Sequence, residues 1–131
     1  DKNGEWFKMP KNKRVQSEIQ KLEYLINVKE IENGIEIDFE VIGTENVPIT
    51  IELIFRLGGT FSGLEKYAKK ENAYLFSAKT GSYFLGGDTI NFENGRIEHK
   101  QLLLRGALPA LDAPTAYITG FTPFKHSVKI N

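Results

Sequence analysis

The chain has 131 residues, enough for one domain that buries roughly two-thirds of its unfolded surface without a disulfide or a metal. Seventeen basic residues cancel seventeen acidic ones, so the electrostatic footprint of a nucleic-acid binder is missing. With no cysteine, disulfides, zinc–thiolate sites and thiol nucleophiles are excluded, and no apolar run approaches the roughly 20 residues of a membrane-spanning helix.

The chain opens at Asp1 with neither a start Met nor a signal-like segment, as expected of a processed protein or of a C-terminal domain cut from a longer one. Residues 1–14 lean basic, with Lys2, Lys8, Lys11, Lys13 and Arg14 against Asp1 and Glu5. Trp6, the only tryptophan, stands beside Phe7. It either anchors the end of the chain or offers a flat ring on which a sugar can stack. Glu18–Leu25 fits a short helix capped by Ser17, but Leu22, Tyr24, Ile26 and Val28 continue a strand better.

Ile35, Ile37, Phe39 and Val41 alternate with Glu36, Asp38 and Glu40, which places the apolar set on a core face and the acids in water. Asn33-Gly34 precedes this run and is the preferred pair for a type I′ turn. A hairpin closed there pairs Val28 with Phe39, Ile26 with Val41, and Lys29 with Asp38. Residues 30–52 carry seven acids and no base; their spread along a strand predicts a solvated face in preference to a cation site.

A third strand follows at Ile49, Ile51, Leu53, Phe55 and Leu57. A tight loop at Gly43–Asn46 would set its apolar face against that of the strand before it. Either the loop is longer, a bulge intervenes, or the third strand crosses to a second sheet. Shorter strands are expected at 74–77, 82–85, 102–105, 115–119 and 127–130, punctuated by Gly58-Gly59, Gly86-Gly87, Pro109 and Pro123. Asn94-Gly95 predicts another hairpin, pairing Phe92 with Ile97 and Glu93 with Arg96. Many short strands and scarce helix give an all-β, antiparallel two-sheet sandwich of jelly-roll-like type, one domain over residues 1–131.

Catalytic motifs are sparse. In Gly59-Thr60-Phe61-Ser62-Gly63 the serine falls one position late for a nucleophile elbow, and no strand-to-helix junction surrounds it. Neither glycine pair has the spacing or the following Lys-Ser/Thr of a phosphate loop, and no cofactor motif is found. His99 and His126 are the only histidines, too few for a typical histidine metal site. Glu98-His99 with Arg105 nearby has the composition needed for acid–base work on an acidic sugar: a carboxylate or imidazole beside an arginine that neutralises the uronate. The plainer expectation is a half-buried His99 satisfied by a backbone group, an ion-paired Arg105, and a core-edge His126.

Gly86-Gly87-Asp88-Thr89-Ile90, Glu98-His99, Arg105-Gly106-Ala107 and Tyr117-Ile118-Thr119-Gly120-Phe121-Thr122-Pro123-Phe124 resemble the C-terminal β-sandwich of bacterial heparinase II/III-like polysaccharide lyases and related carbohydrate-active proteins. The resemblance covers mainly residues 80–131. It implies a non-catalytic accessory domain, exported to the periplasm or cell surface, that packs on the catalytic region of a parent protein. The alternative is a stand-alone carbohydrate-binding module with Trp6, Glu98, His99 and Arg105 as candidate sugar contacts. The first expects an exposed apolar sheet face; the second expects coplanar exposed rings or a bound calcium.

Overall fold

The computed structural model describes residues 21–102 and 113–131. Ten strands follow in order: β1 Leu22–Ile31, β2 Gly34–Gly43, β3 Pro48–Ile54, β4 Thr60–Ser62, β5 Glu65–Lys66, β6 Ala73–Leu75, β7 Thr80–Leu85, β8 Asp88–Glu93, β9 Thr115–Phe121 and β10 Phe124–Ile130. Six form one sheet in the order β1-β2-β10-β8-β7-β4, and four form another in the order β3-β9-β6-β5. The four-stranded sheet is mixed, because β6 runs parallel to β9. No helix occurs among the described residues. The strand expected at 102–105 falls largely outside them.

The sheets meet through their inward residues, among them Val41 and Ile49, which period-two alternation marked. Val41, Tyr83, Phe92, Phe124 and Val128 of the larger sheet pack on Ile49, Ala116 and Ile118 of the smaller, with Phe76 joining them. Phe92 is fully buried and its ring lies 4.9 Å from that of Phe76 and 5.3 Å from that of Phe55, the geometry of a packed aromatic cluster. A second cluster of Tyr67, Ala73, Leu75, Leu102 and Tyr117, with Ile97 against it, covers the other face of the smaller sheet. Ile97 and Leu102, from the segment after β8, help to bury that face.

The first hairpin forms two residues out of the expected register. Ile26 faces Phe39, Val28 faces Ile37, and Lys29 faces Glu36; the pairings Val28–Phe39, Ile26–Val41 and Lys29–Asp38 do not occur. A shift of two residues leaves every side chain on its expected face. The turn is Glu32-Asn33, in which only Asn33 takes a positive φ, and Gly34 is already in the strand. Gly34 is glycine for another reason. A Cβ there would strike the carbonyl oxygen of Ile130, where the end of β10 lies against β2.

Lys29 still meets both acids, at 2.9 Å from Glu36 and 3.8 Å from Asp38. The hydrogen bond and charge of Glu36 hold its ammonium above the ordinary lysine value. Across the outer face, the register continues this charge row through Lys29, Glu36, Lys129 and Glu93. The acidic block is thus a solvated, cross-paired sheet face, and no metal-ligating cluster exists among the described residues.

The second hairpin does not form. Phe92 lies opposite Gly81 and Ile130, and Glu93 opposite Thr80 and Lys129, so the pairings Phe92–Ile97 and Glu93–Arg96 are absent. Both edges of β8 are already taken, by β7 and β10, and no strand has room to fold back there. At Asn94, with φ 73°, the chain leaves the sheet; the Gly95 amide donates to Ala78 O, and Ile97 bridges in parallel to Thr119 of the other sheet. The two-residue hairpin turn is instead Gly86-Gly87, where Leu85 faces Asp88 and Gly86 takes φ 62°. The third strand resolves its parity conflict by crossing over, since β3 pairs with β9 in the smaller sheet.

Candidate functional site

Glu98 and His99 lie on the segment that runs along β9, away from Ile90 and Phe92, whose face His99 would share had the Asn94-Gly95 hairpin formed. Thr119 on β9 fixes that segment: its hydroxyl accepts from the amides of Glu98 and His99, both at 3.1 Å, and donates to the His99 carbonyl at 2.7 Å. The imidazole is committed at both nitrogens. Nε2 lies 2.9 Å from the carbonyl oxygen of Ile49, and Nδ1 accepts from the Gln101 amide at 3.2 Å. Because a carbonyl only accepts and an amide N–H only donates, Nε2 is the donor and Nδ1 the acceptor in this arrangement. Its ring also packs edge-on against Phe121 at 5.1 Å.

Glu98 is engaged as fully. One oxygen takes the Arg96 guanidinium at 2.6 and 2.7 Å, and the other accepts from the Phe121 amide at 3.2 Å. Arg96 in turn donates to the Lys125 carbonyl at 2.9 Å and stacks over the Phe124 ring at 4.5 Å. The arginine beside Glu98 is therefore Arg96, two residues back on the same segment. Sequence spacing favoured Arg105, which lies outside the described residues, as does Trp6. Together Arg96, Glu98, His99 and Thr119 staple this segment to β3, β9 and the start of β10. His126 sits on the core side of β10, an interior strand, and hydrogen-bonds Asn94 O through Nε2.

A different surface is left uncovered among the described residues. Tyr24, Ile26 and Val28 share the core-side face of β1, opposite Val41, Phe39 and Ile37, yet they are 65%, 61% and 62% exposed. Six strands overhang four. β1 ends the larger sheet, β3 ends the smaller, and both line one groove of about 230 Å³ walled by Tyr24, Ile26, Phe39, Val41, Ile49 and Ile51. The sandwich is open along this side, and the interior that β1 carries meets water. Alternation marks Tyr24, Ile26 and Val28 as one apolar face of a strand, and says nothing of whether a second sheet reaches it.

The arrangement offers apolar area and a ten-residue free strand edge. Among the described aromatic residues the exposed rings, Tyr24 on β1 and Phe84 on β7, are separated by three strands and do not form a shared platform. Comparison of the chain with family models, with curated proteins and with solved structures found no match.

Proposed function

We propose that this chain is a non-catalytic packing module whose open side, from β1 to β3, is covered by another polypeptide body. The observation that carries the reading is the exposure of Tyr24, Ile26 and Val28 on the core-side face of β1. Burying such side chains contributes about 25 cal/mol per Å² of apolar area, so an uncovered row of three favours a partner. Glu98 and His99 support the reading from the other side, because their polar atoms serve internal bonds. The resemblance of residues 80–131 to the terminal sandwich of heparinase II/III-like proteins names the setting: an accessory domain of an exported polysaccharide-degrading protein, packed on its catalytic region.

Two measurements test this. Hydrogen exchange at the β1 amides should be markedly slower in the intact gene product than in residues 1–131 alone; equal rates in both would remove the reading. Replacing Tyr24, Ile26 and Val28 by serine should abolish binding of an apolar dye while costing under about 1 kcal/mol of stability per site, as exposed strand positions do.

The chain alone should also release no unsaturated uronate from acidic polysaccharides, followed by ultraviolet absorbance. Sustained release that a His99→Ala variant abolishes would make Glu98 and His99 an active site. A carbohydrate-binding module remains the second reading, and micromolar binding of a neutral oligosaccharide at the β1 groove would favour it.

A further inference from the structure

Between β8 and β10 the larger sheet splits. Asn91 and Asn131 exchange both backbone hydrogen bonds, and Glu93 faces Lys129 two residues on. Continued, the ladder would pair Gly95 with Ser127, but the Gly95 amide turns to Ala78 O and the pairing stops. Strand alternation then fixes what the split exposes. The edge of β10 that aims Asn131 at Asn91 also aims the amides of Ser127 and Lys125 into the gap, where none of the described strands lies across from them. Arg96 takes the Lys125 carbonyl, which leaves N–H donors dominant on this edge.

The gap is a shallow, open cleft of about 540 Å³. Lys79 and Lys125 line it, and neither ammonium has an ion-pair partner among the described residues. Ser77, Asn94, Gly95, His126 and Ser127 complete the walls, and no carboxylate is among them. Glu40 is the nearest acid by register, opposite Lys125 on β2, and Asp38 opposite Ser127 accepts from its hydroxyl. Arg96 close by is neutralised by Glu98.

We infer that this cleft binds an oxyanion-bearing small ligand, one whose carboxylate, sulfate or phosphate group sits between the Lys79 and Lys125 ammoniums and the free amides of Lys125 and Ser127. Unpaired backbone N–H groups converging with ammonium charge are the recurrent chemistry of anion recognition. The cleft lies between β10 and β8, two strands from β1, and rests on none of the residues that carry the packing reading.

Nuclear magnetic resonance titration of the backbone amides at constant ionic strength tests it, with sulfate, phosphate, acetate, glucuronate and glucose as probes. Saturable shifts at Lys125 and Ser127 are expected with the oxyanions and not with glucose, with dissociation constants on the order of millimolar. Lys79→Gln with Lys125→Gln should weaken binding about tenfold or more, whereas Lys129→Gln, on the same strand outside the cleft, should leave it unchanged. Glu40→Gln should tighten it, about twofold, by removing the nearest opposing charge. Glucuronate binding more tightly than acetate identifies a sugar-borne anion; equal affinity identifies a free oxyanion. Shifts that fail to saturate, that spread over every lysine-bearing surface, or that persist in the double variant would overturn the inference.

Discussion

Phe92→Ala is expected to lower the free energy of unfolding by about 3–5 kcal/mol, the range for deleting a fully buried aromatic ring. Phe92 has no exposed surface and joins the two sheets: its ring meets those of Phe55, Phe61 and Phe76. The cavity would open where neighbours on both sheets are fixed by strand pairing and collapse poorly. Phe39→Ala should cost distinctly less, because Phe39 is half-buried and one side of it faces the open groove. Urea melts of the two variants provide the comparison. Equal losses would mean that the β1 side is closed in solution, contrary to the geometry described above.

Gly34→Ala is the second large effect, at roughly 3 kcal/mol from overpacking. An added Cβ there meets the Ile130 carbonyl and also lies 2.8 Å from the Asn131 Cβ, so β10 must move away from β2. Gly87→Ala is the matched control. Its Cβ would have no heavy atom within 4 Å and its φ is not positive, so the substitution should be neutral or stabilise by about 0.4–1 kcal/mol through the unfolded chain. Thermal denaturation of both variants separates the roles. A harmless Gly34→Ala would mean that the end of β10 does not approach β2 this closely in solution.

The candidate site was legible only in part. Half-burial of His99 against a backbone carbonyl follows from a lone histidine near apolar positions, and the structure supplies Ile49 O as that partner. The choice of arginine was not legible, since Arg96 reaches Glu98 only because the segment after Asn94 leaves the sheet and runs along β9. The oxyanion cleft gave no signal at all. Lys79 and Lys125 are distant in sequence and meet where two strands part.

Strand identity and facing were set by the sequence itself. Alternation at residues 35–41 and 49–53 reports local burial on one side, a property each segment carries wherever it docks. The conflict of parity across Gly43–Asn46 likewise required β3 to choose between a loop, a bulge and a second sheet. Register and sheet allegiance were decided elsewhere. Gly34 and Gly95 look alike as turn residues after asparagine, yet Gly34 admits β10 and Gly95 donates to Ala78 O, contacts that exist only after distant segments meet. A hairpin at Asn94 failed because β7 and β10 had already taken both edges of β8. Turn chemistry states what the backbone can do at one point; which edge is free to pair, and how far one sheet reaches beneath the other, depends on the whole set of strands competing for hydrogen bonds and apolar cover.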